Sequence, residues 1–219
     1  MDWTQPLDGY CERHDPGFWA EPVNALTNGA FLFAALVMAI RLRGSGQTIA
    51  WALTLLLSAI GIGSFLFHTY AQPWAAAADV IPIVGFVLLY IFAASRDFLG
   101  LSTARSALVL LGFLCAVPVL VPLLSHVPVL GVSSAYLPVP LMIILYAILL
   151  RDQPVLALGL ATGAGILLVS LTFRSLDMML CDTVPLGTHF LWHILNGIML
   201  GWMIELYRRH RLAPPAPQG

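Results

Sequence analysis

His189 and His193 stand four residues apart at the head of the last long apolar stretch, and His68 closes another far upstream, in Gly63-Ser64-Phe65-Leu66-Phe67-His68-Thr69. On a helix, positions i and i+4 share one face, so His189 and His193 can direct both imidazoles at one small ion. Three imidazoles with an open fourth position form the arrangement of catalytic zinc, which lowers the pKa of bound water to about 7. Asp79, a lone carboxylate in its own apolar stretch, is placed to act as general base and then hand the proton to a leaving amine. Ser64 lies one helical turn before His68, where its hydroxyl would hydrogen-bond the water or an oxyanion. Trp192, Trp74, Phe65 and Phe190 are expected to exclude bulk water and admit an apolar chain. The constellation reads as an intramembrane zinc hydrolase site.

Plainer readings compete at each position. A histidine in a membrane helix is often an interhelical hydrogen bonder. Asp79 could cap a helix, and Ser64 could be a small packing residue in Gly61-Ile62-Gly63-Ser64. What favours the metal reading is that all three histidines fall at one depth once the spans are placed.

The elements that position them follow from composition. The chain has 219 residues, 59% hydrophobic and 10% charged, with a mean hydropathy of +0.88. A soluble domain carries about 25% charged residues. The formal net charge of −1 gives no reason to expect nucleic acid or an acidic polymer as partner. All ten cationic residues are Arg, and the absence of Lys excludes Schiff-base chemistry of the retinal kind. Met1 to Ala20 is acidic and aromatic, so no cleavable signal peptide is expected. Pro214-Pro215-Ala216-Pro217 reads as a short disordered end.

A span needs about 20 mostly apolar residues. Seven candidates are predicted, at 23–42, 49–69, 76–95, 105–125, 133–150, 154–173 and 187–207. The expected fold is an all-α, seven-transmembrane helix bundle. Residues 1–22 form an outer segment, 23–207 the hydrolase domain and 208–219 a cytoplasmic tail. Arg41, Arg43, Arg96, Arg105, Arg151, Arg208, Arg209 and Arg211 fall on one side and only Arg13 and Arg174 on the other. The positive-inside rule makes the first side cytoplasmic, with the N-terminus outside. His68, Asp79, His189 and His193 then gather near the outer face.

Several further features take readings from this topology. Gly197 and Gly201, and Gly159 and Gly163, have the small-xxx-small spacing of close-packed helices. Glu205 is expected to pair with a nearby Arg, and Cys115 to be buried within a span. Cys11 and Cys181 both fall outside, where an oxidising compartment allows either a disulfide or two unpaired thiols. Asp8, Glu12, Asp15 and Glu21 cluster in the N-terminal segment, as a calcium site or simply an acidic cap.

Tyr10-Cys11-Glu12-Arg13, Trp19-Ala20-Glu21-Pro22-Val23-Asn24-Ala25-Leu26-Thr27-Asn28, the Ser64/His68 motif, Asp79 and Gly187-Thr188-His189-Phe190-Leu191-Trp192-His193 together resemble the alkaline ceramidases. These sit in a wider superfamily of seven-span putative hydrolases that includes the adiponectin and progestin receptor-like proteins. The resemblance spans about residues 8 to 207. It implies zinc on His68, His189 and His193, with Ser64 and Asp79 serving the water. It also implies hydrolysis of the ceramide amide to sphingosine and a fatty acid. Animal members carry a calcium site, to which Glu12 and Glu21 correspond; the aspartate falls on Gly9 unless Asp8 shifts into it, and an asparagine position falls on His14. A family disulfide corresponds to Cys11 and Cys181.

Small size, short loops and Arg-based termini look bacterial, placing the site toward the periplasmic side of an inner membrane. The partners expected are the bilayer and a ceramide-like lipid, with no protein partner. The alternative is a seven-span lipid receptor or binding protein with structural zinc. Its very short cytoplasmic loops leave little surface for an effector. A haem protein and a transporter fit less well: the i, i+4 pair suits a small ion, and the ionisable groups cluster at one depth.

Overall fold

The computed structural model describes residues 2–212; the expected disordered end at Pro214–Pro217 lies outside them. No strand occurs among these residues. The described residues form eight α-helices: α1 (Pro22–Thr27), α2 (Gly29–Leu42), α3 (Thr48–Tyr70), α4 (Pro73–Asp97), α5 (Thr103–Leu124), α6 (Pro138–Leu149), α7 (Pro154–Leu176) and α8 (His189–Leu212). Proline opens α1, α4, α6 and α7, where its missing N–H is one the helix would leave unpaired anyway.

Five helical runs are long and apolar enough to cross a membrane: Pro22–Leu42, which joins α1 to α2, and α3, α4, α5 and α7. The expected span at 133–150 is shorter than anticipated. Its first residue, Ser133, ends a 3₁₀ turn at Leu130–Ser133, residues 134–137 form a turn, and Pro138 starts α6 afresh, leaving 12 residues of helix, about 18 Å. α8 has 24 residues but is not among the apolar five, because it carries His189, His193, Asn196, Glu205 and three arginines. The helix that bears two of the three histidines looks least like a span because of what it bears.

α3 packs along α4, α8 lies against α7 and α2, and α6 packs on α7. The glycine pairs serve this packing as expected. Gly197 meets the Ala30 backbone and Gly201 faces Ala34, while Gly159 and Gly163 lie under Leu206 and Met203. α5 stands at the periphery with only Ser106 buried. Cys115 is therefore exposed on its outer face, correcting the expectation of burial; Pro118 and Pro122 lie in the same loosely packed helix.

One end of the bundle is ionic. Glu205 accepts from Arg208 at 2.8 Å and Arg209 at 2.6 Å and pairs with Arg41 at 3.2 Å, and Asp97 takes a bidentate contact from Arg96. The histidines lie at the other end, His189 being 16 residues of α8 from Glu205, or about 24 Å.

A tight connection sets the depth of the site. α3 ends at Tyr70, Ala71 turns left-handed (φ 45°) with its N–H on Phe67 O, and Pro73 starts α4. Gly63 then lets α3 touch the backbone of α4, because a Cβ there would run into the Ala78 carbonyl beside Asp79. Gly63→Ala must part the two helices at the level of Ser64 and Asp79. Overpacking of this kind costs about 1–3 kcal/mol. A lowered thermal midpoint and reduced hydrolysis are expected, measured side by side on the purified variant.

Candidate metal centre

His68 comes from the last turn of α3, and His189 and His193 from the first turns of α8; all three are buried. One ring nitrogen from each lies within 4.8 Å of the others, and no other group of three His, Cys, Asp or Glu converges this way among the described residues.

Hydrogen bonding fixes what the rings present to one another. Thr27 Oγ1 donates its single proton to carbonyls of its own helix, at 2.7 Å to Val23 O and 3.1 Å to Asn24 O. It therefore accepts from His193 Nδ1–H at 3.0 Å. His68 Nδ1–H donates to Glu21 Oε2 at 2.6 Å. With both Nδ1 atoms protonated, the two Nε2 atoms face each other as lone pairs at 3.0 Å. Such a contact calls for a cation between them. A proton would satisfy two nitrogens, but a third has converged as well, and His189 Nδ1 is buried with no hydrogen-bond partner. The donor set of neutral imidazoles, oriented by a carboxylate and a hydroxyl, fits a borderline ion such as zinc.

The N-terminal segment closes over this centre. The Cys11–Cys181 disulfide is formed, with Cα atoms 5.3 Å apart. Tyr10 stacks on His189 at 3.9 Å between ring centroids, and burial pushes its phenol well above the usual range. Arg13 Nε donates to Glu21 Oε1 at 2.5 Å, and its NH2 group to the His68 carbonyl at 3.2 Å. Burial pushes the Glu21 carboxyl up, but its hydrogen bonds with His68 and Arg13 and the charge of the Arg13 guanidinium outweigh it and hold the group below its ordinary 4.5.

Asp177, which the sequence did not single out, organises the approach to α8. Its carboxylate accepts from Cys11 N at 3.0 Å, Thr188 N at 2.7 Å and His189 N at 2.8 Å. Gly187, at φ 67°, has no room for a Cβ beside that carboxylate. The first turn of α8, where helix N–H groups have no internal partners, is thereby capped from twelve residues upstream.

Ser64 and Asp79 line one end of an apolar cleft between α3, α4, α6, α7 and α8. Asp79 lies six residues past Pro73, inside α4 rather than at its cap, within electrostatic range of His68. The far end is closed by Tyr90, whose hydroxyl donates to Met203 O, and Tyr146, paired with Ser95 Oγ at 2.7 Å. From Asp79 to Tyr90 is eleven residues of α4, about 16 Å. Trp192 lines the cleft as expected; Trp74, Phe65 and Phe190 are not among its lining residues. Glu12 and Glu21 are drawn to the start of α1, while Asp8 is exposed and does not join them around a common point.

A polytopic helical membrane protein with a buried three-histidine centre at the head of an apolar cleft is the class these features define. The chain matches the Ceramidase family over residues 10–215, and it belongs to that family. Comparison with curated proteins gives no match. Membership supports a hydrolase of amide bonds acting on a ceramide-type lipid.

Proposed function

We propose that this protein is a zinc-dependent intramembrane amidase that cleaves the N-acyl amide of ceramide or a ceramide-like lipid into a long-chain base and a fatty acid. The observation that carries the reading is the meeting of three buried imidazole nitrogens beside an apolar cleft in a chain of the ceramidase family. His68, His189 and His193 would hold the ion. Zinc, when bound, supplies Lewis acidity and an activated water.

The chain's own groups do the rest. Trp192 and Phe31 wall the polar end of the cleft, where the amide would lie with one hydrocarbon chain running toward Tyr90 and Tyr146. Asp79 takes a proton from the attacking water and delivers it to the amide nitrogen as the carbon–nitrogen bond breaks. Ser64 donates a hydrogen bond to the carbonyl oxygen as it gains charge. The products are a carboxylic acid and an amine, and the proton count balances.

We read the bundle as seven spans, α1–α2 and α3 through α8, with the N-terminal segment outside and the arginine-rich end cytoplasmic. The gathering of Arg41, Arg96, Arg208 and Arg209 about Glu205 and Asp97 at the end opposite the histidines supports this. The centre then faces the outer side, periplasmic in a bacterial inner membrane. To test the reaction, the purified protein is stripped by a chelator and assayed for release of long-chain base from ceramide. Activity is expected to vanish on stripping and return with zinc. Undiminished hydrolysis by metal-free protein would refute the assignment.

A further inference from the structure

The resemblance implies calcium in the N-terminal segment, and the residues here do not fit it. Glu12 spends one oxygen on Val23 N at 2.7 Å and the other on Asn24 N at 2.8 Å, capping α1. Glu21 spends Oε1 on Arg13 and Oε2 on His68 and Asn24 Nδ2. Asp15 Oδ1 accepts from Gly17 N, and Asp8 is exposed. Amid these oxygens lies a guanidinium. Arg13, 6% exposed, donates to Glu21 Oε1 at 2.5 Å and to three carbonyls: His68 O at 3.2 Å, Asp15 O at 3.1 Å and Gly17 O at 3.4 Å. One carboxylate and three carbonyls make the kind of donor set a hard cation takes. Here a side chain of this protein occupies it.

We propose that the Arg13 guanidinium is the resident cation of the N-terminal segment and a positioning residue for the metal centre, holding Glu21 on His68 Nδ1 without calcium. The proposal rests on the reading of His68 as a metal ligand. A carboxylate as buried as Glu21 needs a countercharge, and Arg13 supplies one from the side opposite the imidazole. The same fork grips the backbone of His68, so it fixes both the ring's hydrogen-bond acceptor and the residue that carries the ring. Carboxylate partners of this kind set the tautomer and basicity of a ligating histidine. Arg13 is also one of two arginines on the side the positive-inside rule leaves poor in them. Its burial in this network gives that exception a physical reason.

The test compares wild type, Arg13→Gln and Arg13→Lys in detergent with the disulfide intact. Zinc affinity is read by chelator competition, thermal midpoint is read on zinc-free protein, and calcium per chain comes from elemental analysis. Arg13→Gln is expected to bind zinc about 10- to 100-fold more weakly. Arg13→Lys, which keeps the charge and loses the fork, falls between; it carries the test alone if the glutamine variant does not fold. Wild type is expected to hold no stoichiometric calcium, with zinc affinity unmoved by added calcium chloride. Zinc affinity equal to wild type in a folded Arg13→Gln would overturn the proposal, as would one calcium per wild-type chain. A purely structural strap would lower the thermal midpoint and leave zinc affinity in place. Folded wild type that binds no zinc overturns the metal centre as well, a result distinct from the others.

Discussion

Asp79→Asn is expected to keep its metal ion and to lose hydrolysis by about 10²- to 10⁴-fold, the usual worth of a positioned acid–base group. The carboxylate is not one of the three converging ligands, so the amide should leave metal content unchanged. It sits with Ser64 at the polar end of an otherwise apolar cleft, where few other groups could exchange a proton with a bound amide. Its backbone is held against Gly63, so the near-isosteric amide should occupy the same place. Because the interaction is used in the transition state, the loss should fall on kcat with KM little changed. Metal analysis and steady-state turnover on the same preparation decide the matter. Retained turnover would move the proton-transfer role to another residue.

The second large effect should come from Asp177, which touches no reacting atom. Asp177→Ala leaves the N–H groups of Cys11, Thr188 and His189 without their acceptor. A buried donor left unpaired costs about 1–3 kcal/mol. Water entering the space recovers part of this, so a net loss of about 3–5 kcal/mol is expected, on the order of 10 °C in thermal midpoint. Asp177→Asn keeps an accepting oxygen and should fall between. Metal affinity should drop with stability, since His189 occupies the turn that the carboxylate caps. A midpoint within about 2 °C of wild type would show that other groups cap α8.

The meeting of the three histidines, and the placing of Ser64 and Asp79 together on one cleft, are legible because their logic is local: i, i+4 spacing, one turn between Ser64 and His68, and a lone carboxylate in an apolar stretch. Five of the long apolar runs were legible for the same reason. Asp177 was not, because a capping residue ordinarily adjoins its helix and this one reaches back across a loop. Thr27 was hidden too: its role toward His193 depends on a proton already given to Val23 O, which only the fold reveals. Composition grouped Glu12 and Glu21 as an acidic cluster. The structure gives them different tasks at the start of α1, Glu12 capping the helix and Glu21 bonded to the His68 imidazole and to Arg13. Hydropathy makes the span at 133–150 too long because it does not register that Pro138 begins a helix. Cys115 was misplaced because mid-span position says nothing about which side of a helix faces the bundle.

His68, His189 and His193 are expected to hold one zinc ion between them. The most direct measurement is zinc per chain by elemental analysis of the detergent-purified protein, wild type beside His193→Ala. About one zinc is expected in wild type, with a marked loss in the variant. Folded wild type without zinc, or equal zinc in both, would contradict it.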